Sequence, residues 1–249
     1  MKLNKYFEFV QADLEPVKSF HIKDELNPKV WDDETTMNHE VREQLLQIAN
    51  DFYEQTDIDS DINDIILTGS LANYNWSEKY SDYDLHILID FNDVSDDVEL
   101  VKKFVDGARK IWNDNYDLKI AGYEVEVYIQ DLEEPHKSTG IYSVKDDKWL
   151  VKPMKIDFEL DEEAVKEKAR SVMMRISDLE EEVGEVNHEK FIEKVNKVWE
   201  KVKNFRKSGL AEESGEFSVG NLVFKLLRRN GYITKIIDMK KESYEKQFK

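Results

Sequence analysis

Two aspartates one residue apart, Asp82 and Asp84, stand at the entrance to an apolar run that ends at Phe91. From Asp84 onward the run alternates, with Leu85, Ile87 and Ile89 on one face and Asp84, His86 and Leu88 on the other. Side chains two apart on a strand point the same way, so the two carboxylates project together while Tyr83 and Leu85 turn inward. Paired carboxylates are hard oxygen donors that can hold a divalent cation, and a third acid on a neighbouring strand would complete a two-metal site. The stretch from Tyr123 to Gln130 offers such an acid. It alternates strictly, with Tyr123, Val125, Val127 and Ile129 toward a core and Glu124, Glu126, Tyr128 and Gln130 away from it. Glu126 is the preferred third ligand and Glu124, on the same face, the alternative; the bland reading makes both ordinary exposed strand residues.

The elements that must position these acids are short strands followed by helices. Asp64 to Thr68 forms a brief apolar run that stops at Gly69-Ser70, a turn, and a polar loop then leads to Asp82. Ahead of it, Asn38 is placed to cap a helix carrying Val41, Leu45, Ile48 and Phe52 at helical spacing. After the second strand, Ser95 is expected to cap a helix with Val98, Val101, Val105, Ala108 and Trp112 on its buried stripe. IYSV and KWLV around KDD read as a hairpin ending at Pro153. Beyond Asp157 the period becomes helical, with starts at Asp161, at Asn187 or His188 and at Ser218, a stop at Asn230-Gly231, and a helical tail. The expected organisation is therefore an α+β domain over residues 1–155, with a mixed sheet, flanking helices and an N-terminal arm, and a helical domain over residues 156–249.

Composition narrows the setting. The chain has 249 residues, no Cys, and a net charge of −18 from 36 basic and 54 acidic residues. Disulfides and thiolate zinc sites are excluded, and a surface this acidic repels a phosphate backbone, so extended coating of nucleic acid is not expected. No apolar run approaches the length of a membrane span, and the first residues lack the pattern of a secretion signal. A cytoplasmic protein without a membrane partner is the expectation. One region runs against the overall charge: residues 219–249 hold eight Lys/Arg, among them Lys225, Arg228 and Arg229, against three acids. That stretch is either a solvated helix face or a surface for an anionic ligand. The acidic segment Asp57 to Asp64 contains a DxDxD run as well, but Ile62 and Thr68 stand where a calcium loop needs Gly and Glu. In a chain this acidic, an isolated DxD pair carries little weight; the Gly-Ser turn upstream and the apolar strand behind it give this one its meaning.

Gly69-Ser70, eleven residues, then Asp82-Tyr83-Asp84 entering an apolar strand resembles the signature of the DNA polymerase β-like nucleotidyltransferase superfamily. The wording of TGSLANYN and SDYDLH also resembles uncharacterised nucleotidyltransferase-like proteins of large tailed phages. Val125-Glu126-Val127 is similar to the family's third hydrophobic-acid-hydrophobic motif, although the family usually places Asp there. The resemblance implies transfer of a nucleoside monophosphate from an NTP, ATP first among them, with two Mg²⁺ or Mn²⁺ ions held by Asp82, Asp84 and Glu126. It further implies that Gly69 lets the main chain approach the phosphates. Ser70 and the amides opening the following helix would donate to them, and Ser81 would brace the loop. Lys225, Arg228 and Arg229 would be contacts to the triphosphate, and His86 would support the acids from behind or serve as a structural histidine. The acceptor stays open among RNA, a protein side chain, a nucleotide and a small molecule, with antitoxin-type and cyclic-oligonucleotide-type enzymes both compatible. The competing readings are a non-catalytic module that keeps the fold to bind nucleotide or a partner, and a purely structural protein that uses its charged helices.

Overall fold

The computed structural model describes residues 14–136, 138–183, 187–212, 214–246 and 248. The chain divides into two compact units, one of residues 21–157 and one joining the segment up to Phe20 to residues 158–249. Most of the expected N-terminal arm, from residue 14, is described; residues 1–13 lie outside. Its 3-10 helix Glu15–Phe20 packs with the helical unit, and the chain from His21 onward belongs to the sheet unit.

The sheet unit is α+β. Its strands are β1 (Asp64–Thr68), β2 (Tyr83–Ile89), β3 (Lys119–Ile120), β4 (Tyr123–Asp131), β5 (Ile141–Ser143) and β6 (Lys148–Val151), in the order β3-β4-β2-β1-β5-β6. β2 and β4 are parallel and every other pair is antiparallel, which makes the sheet mixed. A parallel pair needs a long crossover, and α2 (Phe91–Val94), α3 (Val98–Asn115) and β3 supply it, preceded in the chain by α1 (His39–Gln55).

The period-2 pattern of β2 and β4 does what the sequence demands. Leu85, Ile87, Ile89, Val127 and Ile129 bury one sheet face in a core with Leu45, Phe52, Val101, Val105 and Trp112, and Phe52 and Trp112 meet at 5.3 Å between ring centroids. Fully burying one such side chain is worth roughly 1.5–3 kcal/mol, so the register of these strands is strongly held and the polar residues between them are forced onto the opposite face.

Helix starts obey local chemistry. Asn38 Oδ1 accepts from the amides of Glu40 and Val41. Two boundaries differ from expectation. Phe91 opens a four-residue helix capped by Asp90 rather than closing β2. Asp97, not Ser95, caps α3, its carboxylate accepting from Leu100 N at 3.1 Å while Ser95 Oγ accepts from Asp97 N.

The helical unit contains α4 (Glu162–Glu182), α5 (His188–Ala211), α6 (Val219–Arg229) and α7 (Tyr232–Lys246). Asp161, Asn187 and Ser218 cap the first three. Their core gathers Val165, Val172, Met173, Ile176, Val195, Val202, Leu226, Leu227 and Ile236 with Leu14, Val17 and Phe20. Gly220 and Gly209 allow α5 and α6 to approach closely, since a Cβ on Gly220 would lie 2.6 Å from the carbonyl oxygen of Phe205. Among the described residues no helix is long and apolar enough to cross a membrane.

Candidate metal-binding and phosphate-binding site

The register of three strands builds the site. Thr68 on β1 lies opposite Asp84 on β2, which lies opposite Glu126 on β4. Asp82 precedes β2 by one residue and shares the face of Asp84. Asp82, Asp84 and Glu126 each offer a carboxylate oxygen, and these atoms all lie within 4.8 Å of one another. All three residues are half-buried. Glu124, the alternative, is exposed and pairs with Lys119 at 3.5 Å.

Three like charges at this spacing repel. At an effective dielectric of about 20, two unit charges roughly 5 Å apart cost on the order of 3 kcal/mol. The donor set is oxygen only, which suits a hard divalent cation such as Mg²⁺ or Mn²⁺, and partial exposure leaves room for the water such ions retain. The residues fit a divalent metal.

Gly69 closes the site from the side of β1. It holds φ 75°, a conformation that side chains resist, and a Cβ there would stand 1.9 Å from Asp84 Oδ2. Glycine is required at this position by the neighbouring carboxylate itself as well as by the turn. The helix that follows is a single 3-10 turn, Ser70–Ala72. An anion at this turn would therefore meet main-chain amides and the Ser70 hydroxyl, without the dipole of a long helix.

The loop is pinned at several points. Ser70 Oγ and Ser81 Oγ share a hydrogen bond at 2.7 Å, and Ser81 Oγ accepts from Ser77 N at 2.8 Å. Trp31 Nε1 donates to the carbonyl of Leu71 at 2.7 Å. The segment Ser138–Gly140 packs on the same turn: Thr139 Oγ1 donates to Asn73 Oδ1 at 3.2 Å, and a Cβ on Gly140 would come within 2.1 Å of the Ala72 carbonyl oxygen.

A second row lies directly behind the acids. His86 on β2 pairs with Tyr128 on β4, their rings stacked with centroids 4.9 Å apart, and His136 meets His86 edge-on at 5.7 Å. Burial holds the His86 imidazole well below its usual range, at about 4, helped by the nearby His136 and opposed by a hydrogen bond with Gln130. Tyr128 Oη donates to Glu126 Oε2. Burial, together with that bond to the carboxylate, pushes the phenol far up, so it stays protonated. Sequence reasoning placed Tyr128 on the ligand face without giving it a part.

Lys225, Arg228 and Arg229 sit on α6 of the helical unit. Lys225 bridges Glu216 at 3.3 Å. Arg229 Nη1 donates to Ser19 Oγ, and the guanidinium lies 4.4 Å from the centroid of the Phe20 ring. Arg228 is exposed.

No family model and no curated protein matches the chain. Among solved structures, a STING-associated CdnE c-di-GMP synthase from Capnocytophaga granulosa is similar at 11% identity over 84% of each chain, with a TM-score of 0.25. A likeness that slight bears on neither fold nor activity.

Proposed function

We propose that this protein is a metal-dependent nucleotidyltransferase of the polymerase β-like kind, which moves an NMP from an NTP, ATP first, to a hydroxyl acceptor. The observation that carries the reading is the meeting of Asp82, Asp84 and Glu126 beside the Gly69-Ser70 turn. In this reaction the acceptor oxygen bonds to the α-phosphorus, the α–β bridging bond breaks, and pyrophosphate leaves.

Asp82, Asp84 and Glu126 would hold two Mg²⁺ or Mn²⁺ ions. Bound there, such ions lower the pKa of the attacking hydroxyl and neutralise charge on the phosphates and leaving oxygen. Without that neutralisation the three acids would repel a triphosphate. Ser70 Oγ and the amides of the turn donate to the β- and γ-phosphate oxygens, and Ser81 keeps the Ser70 hydroxyl in place. The proton leaving the acceptor passes to one of the three carboxylates. Of the basic residues on α6, Lys225 pairs with Glu216, Arg229 donates to Ser19, and Arg228 is exposed.

The test incubates the protein with each α-³²P NTP, Mg²⁺ or Mn²⁺ and a cell lysate. Label is expected to enter one acceptor fraction with release of pyrophosphate, and that fraction names the acceptor class. Nucleotide binding with no transfer across a broad acceptor panel overturns the enzyme reading in favour of a binding module.

A further inference from the structure

The candidate third ligand is a glutamate, whose extra methylene adds a torsion that an aspartate lacks. A carboxylate free to swing would spend part of its time turned away from Asp82 and Asp84. Something must fix it if the cluster is to bind a cation tightly, and one side chain does so. Tyr128 lies two residues along β4 on the same face, and its hydroxyl donates to Glu126 Oε2.

The phenol ring has two further neighbours. The His86 ring stacks on it at 15° between planes, and the Arg109 guanidinium from α3 lies 5.0 Å from its centroid. Arg109 comes from α3, whose Asn113 Oδ1 also accepts from Val127 N on β4 at 3.4 Å.

We propose that Tyr128 is a positioning residue for the metal site: its hydroxyl fixes the Glu126 carboxylate so that it can serve a cation together with Asp82 and Asp84. The inference rests on the nucleotidyltransferase reading of that cluster and deepens it. Hydrogen-bond partners of metal ligands typically contribute 10- to 100-fold in metal affinity, because they remove in advance the freedom that binding would otherwise have to freeze. Tyr128 touches no reacting atom in this scheme; it acts through Glu126.

The experiment titrates Mn²⁺ into the full chain and monitors free Mn²⁺ by electron paramagnetic resonance, so no turnover is needed. Tyr128→Phe keeps the ring beside His86 and Arg109 and removes only the hydroxyl. It should weaken Mn²⁺ binding by roughly tenfold with the unfolding midpoint nearly unchanged. A second background checks that the effect passes through Glu126. In Glu126→Asp the carboxylate is drawn back from the phenol by one methylene, so adding Tyr128→Phe should weaken binding much less than it does in wild type. If wild type binds Mn²⁺ and Tyr128→Phe binds it equally well, the positioning role is overturned while the metal site stands. An equal loss in both backgrounds overturns it too, because the phenol would then act by another route. If wild type binds no Mn²⁺, the metal reading fails and takes this inference with it.

Discussion

In the helical unit Lys194 reaches Glu182 at 2.7 Å, Lys235 reaches Glu180 at 3.0 Å and Lys225 reaches Glu216 at 3.3 Å. In the sheet unit, strand register brings three acids within 4.8 Å of one another. The first arrangement matches each charge with its opposite and asks for nothing further. The second gathers like charges on a surface that the apolar side of the same strands holds in place, and it does so beside a glycine that admits no side chain. Packing alone does not call for such a cluster. On the reading proposed above a divalent cation would offset that repulsion, whereas the ion pairs of the helical unit need no ligand.

The largest effect expected from a single change in the sheet unit is that of Gly69→Ala. A positive φ strains any side chain, and the new Cβ must displace the Asp84 carboxylate. Stability should fall by about 3 kcal/mol, read by urea unfolding, and transfer activity should drop about 100-fold through the displaced metal ligand. A variant of wild-type stability and activity would show that the turn and the acid are not coupled.

Arg229→Ala probes the other unit. It removes the bond to Ser19 and the contact with the Phe20 ring, and should cost roughly 2 kcal/mol. The KM for NTP should stay within a factor of two or so; a tenfold rise would return Arg229 to the nucleotide site. Glu126→Gln should have the smallest effect on stability and the opposite sign. Gln can still accept from Tyr128, while one of the three like charges is gone, so without metal the stability should rise by on the order of 1 kcal/mol. Adding Mg²⁺ should then stabilise wild type and leave the variant nearly unmoved. A drop in stability without metal would erase the contrast between the two units.

What could be read from the sequence was what is local. Alternation in β2 and β4 identified the faces bearing Asp84 and Glu126, because burying Leu85, Ile87, Val127 and Ile129 leaves no other choice. Asn38, Asp161 and Ser218 were legible as caps, and Asn187 as one of two possible starts, because a cap joins residues two or three apart. Asp97 was missed because Ser95, two residues earlier, has the same capping chemistry. The parallel pairing of β2 with β4, which sets Asp84 opposite Glu126, could be entertained from sequence but not fixed, since it depends on how the chain between them crosses over. Tyr128 was on the right face, but its bond to Glu126 is one of several that alternation allows. The contact of His86 with His136, fifty residues on, leaves no trace in spacing. Periodicity likewise could not tell that Arg229 turns to Ser19 and Phe20.

The central claim is that Asp82, Asp84 and Glu126, brought together by β2 and β4, support transfer of a nucleoside monophosphate. The most direct measurement compares wild type with the Asp82→Ala/Asp84→Ala double variant in the α-³²P NTP labelling reaction, at saturating Mg²⁺ and with folding checked by circular dichroism. The account predicts at least about a 100-fold loss of label transfer and of pyrophosphate release in a folded double variant. A double variant that labels its acceptor as fast as wild type contradicts it.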